Sequence, residues 1–199
     1  MKEPRRFITV SLVVLTVFLV ATVVSACGSS VKTYTDKSYG YSFSYPSGWK
    51  TQAGVTSDAT AGGSTAGSVA VYNPDGTTAG KVYVDLAMIM VYKLSTVVDD
   101  PWSSATLAEL QGLVTDLQSQ STDMKVEQAL QQTTQAGLKG YSATFTFTKD
   151  GTPMRSTVYF LFNGSIEYEV NQQAAIASWE TTKPALDSIL ATFKAGKSN

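Results

Sequence analysis

From Tyr39 to Tyr45 every second residue is aromatic: Tyr39, Tyr41, Phe43 and Tyr45, with Ser38, Gly40, Ser42 and Ser44 at the other positions. A period of two predicts a half-buried strand with the rings facing inward. A sugar-stacking surface is the functional alternative for these rings, but so regular an apolar face favours core packing. Pro46-Ser47-Gly48 predicts a turn before Trp49. Residues 51–68 are Gly, Ala, Ser and Thr with almost no large apolar side chains, and read as a slack loop too long for an ordinary connection. Val69–Tyr72 restarts a strand, and Asn73-Pro74-Asp75-Gly76 marks a tight turn. Lys81–Leu94 reads as one long strand whose apolar face carries Val82, Val84, Leu86, Met88, Met90, Tyr92 and Leu94. Asp85 falls on the other face, where a hydrogen-bonded or rim carboxylate is expected and a buried acid is the alternative. The methionines read as core filler rather than as metal ligands.

Asp100-Pro101 predicts a helix start, with Asp100 as N-cap and Pro101 at the first helical position. Leu107, Leu110, Val114 and Leu117 keep the three-four spacing of one buried face. Lys125–Gln132 reads as a weaker strand. After it, Tyr141, Ala143, Phe145 and Phe147 alternate with Ser and Thr, Asp150-Gly151 turns the chain, and Met154, Ser156, Val158, Phe160 and Phe162 alternate back. Asn163-Gly164 turns it again into Ile166, Tyr168 and Val170, and the two Asx-Gly pairs are hairpin signals. A last helix, Ser178–Phe193, buries Trp179, Leu186, Ile189, Leu190 and Phe193, with Pro184 in or near its first turns. The expected fold class is α+β: an antiparallel sheet of about six or seven strands flanked by two main helices, without internal repeats.

The N-terminus follows a different rule. Lys2, Arg5 and Arg6 form a basic start, and Phe7–Val24 is almost wholly apolar. These are the parts of an export signal, with the basic end held on the cytoplasmic side. An apolar run of roughly 18 residues also suffices to span a bilayer, so the run alone does not decide between a cleaved leader and a retained anchor. The tetrapeptide Val24-Ser25-Ala26-Cys27 does. It resembles the lipobox of bacterial lipoproteins: an aliphatic residue, two small ones and an obligatory cysteine. The resemblance implies cleavage after Ala26 and diacylglyceryl attachment to the Cys27 thiol. Cys27 is the one cysteine in the sequence, and lipidation accounts for an odd thiol in an exported chain. The expected organisation is a signal peptide over 1–26, a lipidated cysteine with a short tether over 27–33, and one domain over 34–195. So short a tether keeps the domain at the extracytoplasmic face of a membrane.

Removing the leader takes away Lys2, Arg5, Arg6 and Glu3, which shifts the formal charge from −1 to −3. That argues against nucleic acid as a partner, because phosphate binding needs a basic patch. Histidine is absent from the sequence. No Ser-His-Asp or Cys-His triad is available, nor any histidine-based metal site, and with the thiol lipidated no thiolate site either. No catalytic residue, metal ligand or cofactor is assigned. Glu167 and Glu169 share one strand face, and carboxylate pairs serve glycosidases, but a two-residue repeat on an exposed strand reads as a solvated face.

Tyr41-Ser42-Phe43-Ser44-Tyr45-Pro46-Ser47-Gly48-Trp49 is similar to the opening of PsbP-like domains, where an aromatic strand runs into Tyr-Pro, a turn and Trp. Leu186-Asp187-Ser188-Ile189-Leu190-Ala191-Thr192-Phe193-Lys194 resembles that family's closing helix. The resemblance implies an α/β/α sandwich in which the sheet lies between helical layers. Photosynthetic members are extrinsic, non-enzymatic proteins that assist manganese and calcium retention in photosystem II. This chain has no cluster that aligns with a metal site, so that role does not carry over. The function expected is a non-catalytic accessory or protein-binding module near the membrane. The alternative is a carrier of a small apolar ligand or lipid in a cavity between sheet and helix.

Overall fold

Wherever the alternating segments are joined by tight turns, they pair as antiparallel strands. The computed structural model describes residues 30–54, 65–120 and 123–197. In chain order these form β1 (Val31–Thr35), β2 (Ser42–Pro46), β3 (Lys50–Ala53), β4 (Thr65–Tyr72), β5 (Thr78–Ala79), β6 (Val82–Tyr83) and β7 (Leu86–Lys93). Helix α1 (Ser104–Gln120) follows, then β8 (Lys125–Gln135), β9 (Leu138–Lys149), β10 (Thr152–Asn163) and β11 (Ile166–Ala175). A 3-10 turn, Ile176–Ser178, leads into α2 (Trp179–Ala191).

Seven strands make one antiparallel sheet in the order β3-β4-β7-β11-β10-β9-β8, while β1-β2 and β5-β6 are separate two-stranded ribbons. The fold class is therefore the α+β sandwich expected. One face of the sheet carries Val69, Ile89, Val91, Tyr168, Val170 and Leu161, and α2 and the β1-β2 ribbon close over it with Leu186, Ile189, Tyr41 and Phe43. The other face carries Tyr141, Phe145, Val158 and Phe160 and packs against α1 through Leu110. Gln172 is buried on the α2 side, where its Nε2 donates to the Leu186 carbonyl at 2.9 Å. Pro184 lies inside α2. Its missing N–H leaves the Glu180 carbonyl without its helical partner, which is tolerable so near the helix start.

Four expectations change. The slack segment 51–68 contributes strand at both ends: Lys50–Ala53 pairs with β4, and β4 already begins at Thr65. Residues 55–64 lie outside the described residues. Small side chains suit this position, because a Cβ on Gly67 would come within 3.3 Å of the Tyr39 ring. The long strand expected over 81–94 breaks at Val84-Asp85, with β6 pairing to β5 and β7 to β4 and β11. Lying inside the sheet, β7 is buried on both faces: Ala87, Ile89 and Val91 on the α2 side, Met90 and Tyr92 on the other.

The N-cap of α1 is Ser103, whose Oγ accepts the Thr106 N–H at 3.2 Å, and not Asp100. Asp100 instead forms a turn before the helix, with Oδ1 accepting the Trp102 N–H. Finally, residues 31–33, expected to be part of a tether over 27–33, are strand. The Ser30 carbonyl accepts the Ser47 N–H at 2.8 Å and β1 starts at Val31.

Candidate functional site

Between β4 and β7 the chain makes the tight turn Asn73–Gly76 and the small β5-β6 ribbon, then returns with Asp85 on its way into the sheet. Asp85 is 2 % exposed. A buried carboxylate requires donors on both oxygens, and Asp85 has them. Oδ1 accepts the Ala175 N–H at 3.2 Å and the Ser178 hydroxyl at 2.8 Å, while Oδ2 accepts the Thr77 N–H at 2.9 Å. The turn runs hard against this group. A Cβ on Gly76 would stand 2.9 Å from Asp85 Oδ2, so only glycine fits there.

A cleft of about 500 Å³ opens beside this clamp, between the 73–77 turn and the start of α2. Trp49 forms one wall, Asn73, Thr77 and Asp85 another, and Ser178 and Thr182 the third. The lining is hydroxyl, amide and carboxylate around a single indole, which suits hydrogen bonding to a polar group more than enclosure of an apolar one. Asp85 is the hydrogen-bonded acid expected, but what binds it comes from two segments, the preceding turn at Thr77 and the distant Ala175–Ser178 stretch. Thr77 and Ser178 carry no mark in the sequence that would have paired them with Asp85.

The Glu167 and Glu169 pair differs from the expected solvated face. β11 is an inner strand, so Glu169 sits between Met90 on β7 and Phe160 on β10, and Glu167 between Tyr92 and Phe162. Glu169 is only 6 % exposed. Burial pushes its carboxyl up to about 8, the neighbouring Glu167 adds to this, and a hydrogen bond from Tyr92 opposes it. Burial likewise raises Glu167 to about 7, with Glu109 on α1 contributing. Desolvation dominates because a charge loses its hydration there without gaining a cation. The pair lies on the α1 side of the sheet, away from the residues that line the cleft.

The alternative reading, a carrier, places an apolar ligand in a cavity between sheet and helix; between the sheet and α2 lies a cluster of buried side chains. Tyr41, Phe43, Ile89, Tyr168, Leu186 and Ile189 are all buried there. Tyr41 and Tyr168 meet edge-on at 6.0 Å, so the aromatic stripe of the opening strand is core and not a sugar platform. Of the two methionines read as filler, Met90 is buried and Met88 half-buried. Among the described residues no group of three or more acidic, cysteine or histidine side chains is placed to hold a metal ion. Val24, Ser25, Ala26 and Cys27 lie outside the described residues. Among those described, no helix is long and apolar enough to cross a membrane.

No protein-family model matches the sequence, and no curated protein matches it. Solved structures do. The solution structure of cyanobacterial PsbP (CyanoP) from Synechocystis sp. PCC 6803 superposes with a TM-score of 0.54 at 17% identity, covering 86% of this chain and 95% of that one. The chain has the PsbP-like fold. LpqN of Mycobacterium tuberculosis, described as involved in cell envelope biogenesis, matches this chain at a TM-score of 0.51 and 12% identity, covering 83% of this chain and 91% of LpqN. A protein from Bacteroides thetaiotaomicron matches at 0.53 and 15% identity over 84% of this chain. This chain spans about half of that protein's length (49%).

Proposed function

We propose that this PsbP-like domain is a lipid-anchored, extracytoplasmic, non-catalytic accessory module that docks on a protein partner at the membrane surface. The observation that carries the reading is how early after Cys27 in the sequence the folded domain begins. Ser30 is already hydrogen-bonded into the β1-β2 ribbon through Ser47. A lipid on Cys27 would therefore be separated from folded protein by Gly28 and Ser29 alone, three residue steps or about 10 Å at full extension. Two acyl chains supply the two signals that stable anchoring needs.

The non-catalytic half rests on the side chains available. The sequence has no histidine. Asp85 spends both oxygens on the fold, and the raised carboxyls of Glu167 and Glu169 face α1 and not the cleft. The likeness to LpqN supports a place in the cell envelope.

The test has two arms. Intact-mass analysis of the N-terminal peptide from membranes is expected to show diacylglyceryl on Cys27, and Cys27→Ser is expected to move the protein out of the membrane fraction. Photo-crosslinking in intact cells is expected to trap one partner whose yield falls in the Cys27→Ser strain. An unmodified Cys27 in membranes refutes the anchor, and crosslinking that captures no protein refutes the docking role.

A further inference from the structure

The two ends of the seven-stranded sheet differ in what they expose. At one end β3 and β7 begin and β4 and β11 finish, and the β5-β6 ribbon caps them. The turn before Trp49 belongs to the same end, because Trp49 shares the cleft with Asn73, Thr77 and Ser178. The chain from Cys27 therefore enters here, where the Ser30 carbonyl meets the Ser47 N–H.

Among the described residues five large apolar side chains are exposed, and four belong to this end. Val31 (61 %) opens β1, Val82 (48 %) and Tyr83 (37 %) form β6, and Ile176 (49 %) follows the last residue of β11. Tyr83 is fixed against Tyr72, with the rings stacked at 4.8 Å. The fifth, Val97, lies at the opposite end beside Gly164, whose carbonyl accepts the Val98 N–H. With four exposed apolar side chains at this end and one at the other, this is the more apolar end of the domain.

We infer that this end of the domain, through Val31, Val82, Tyr83 and Ile176, rests on the bilayer that holds the Cys27 lipid. The inference depends on the anchor proposed above. A domain of this size has a radius of gyration of about 15 Å, longer than the tether of about 10 Å, so the end where the tether enters stays within the headgroup region. A short tether on a single lipid site would not by itself fix how the domain is turned. The exposed side chains remove that freedom by favouring the one orientation that takes them out of water. The cleft beside Trp49 then opens toward the headgroups, and the end bearing Val97 faces away from the membrane.

Full-length lipoprotein reconstituted into phosphatidylcholine–phosphatidylglycerol vesicles tests this, because the lipidated Cys27 leaves introduced thiols as the sites of labelling. Val82→Cys, Ile176→Cys and Val97→Cys each take an environment-sensitive fluorophore, and a share of the lipids carries a nitroxide at the shallow acyl level. Labels at 82 and 176 are expected to shift to the blue and lose at least half of their emission to the nitroxide, at high salt as well as low. The label at 97 is expected to stay unquenched. Equal quenching at all three positions, or none at 82 and 176 with diacylglyceryl confirmed on Cys27 by mass, overturns the orientation alone. Vesicle-bound protein with an unmodified Cys27 overturns the anchor and this orientation with it.

Discussion

Ser178 donates its hydroxyl to Asp85 Oδ1 at 2.8 Å, joining the start of α2 to the entrance of β7 across 93 positions of sequence. The same carboxylate holds the Thr77 and Ala175 N–H groups. Asp85→Ala strands these donors in a buried site, and each lost bond of this kind costs about 1–3 kcal/mol. The variant is expected to unfold with a loss of about 2–4 kcal/mol, read from the urea midpoint at constant slope. Asp85→Asn keeps the shape and one acceptor, so its loss should be smaller. Equal stability of Asp85→Ala and wild type would show that the Asp85 clamp does not hold the fold together.

Glu169 makes stability depend on pH. Its folded carboxyl is raised to about 8 by burial, well above its ordinary value of 4.5. The folded state holds this proton more tightly than the unfolded chain does. Its contribution is therefore complete below about pH 4.5 and is lost as the pH rises toward about 8, with a slope of up to about 1.4 kcal/mol per pH unit for one proton. Glu169→Gln keeps the size and removes the titration. It is expected to be more stable than wild type near pH 9 and no more stable near pH 4, in denaturation curves taken across that range. A difference independent of pH would show that Glu169 is ionised in the fold.

Gly140 permits a close approach between β9 and β10. A Cβ there would fall 1.8 Å from the Phe160 carbonyl oxygen, and the Gly140 carbonyl also accepts the Trp102 indole N–H at 3.0 Å. Gly140→Ala is expected to push the strands apart, cost about 1–3 kcal/mol or more, and change the near-ultraviolet signal of Trp102. An unchanged tryptophan signal with wild-type stability would contradict this packing.

Leu186 anchors α2 to the sheet and is fully buried. Leu186→Ala opens a cavity beneath the helix and is expected to cost about 2–5 kcal/mol in chemical denaturation. A loss under about 1 kcal/mol would mean that the helix closes over the gap, and that the α2 interface is less tightly packed than described.

The C-terminal meander was legible because its signals are local. Alternating residues 141–147 and 154–162 became β9 and β10, and the Asp150-Gly151 turn has Asp150 at φ +46°, as a type I′ hairpin turn demands. The next turn shifts by one residue, since Asn163 still pairs with Ile166 and the central pair is Gly164-Ser165. The turn joining β8 to β9 went unseen, because Ala136 stands at φ +53° where Asn, Asp or Gly would have announced it. Of the candidate site, Asp85 was visible as a carboxylate within an apolar run, whereas its partners were not, since Thr77 and Ser178 lie in unrelated stretches.

By itself, the sequence determined the fold class, the strands of the meander, the buried face of α2 and the chemistry left out by the lack of histidine. These follow from periodicity and composition, which act over a few residues. Strand order belongs to the tertiary structure. Only by placing β11 between β7 and β10 does the fold turn Glu167 and Glu169 from an expected solvated pair into carboxyls that resist ionisation. The same long-range packing brings Ser30, Val31, Val82, Tyr83 and Ile176 to one end of the sheet. Burial and proximity depend on which segments meet, and no local pattern carries that information.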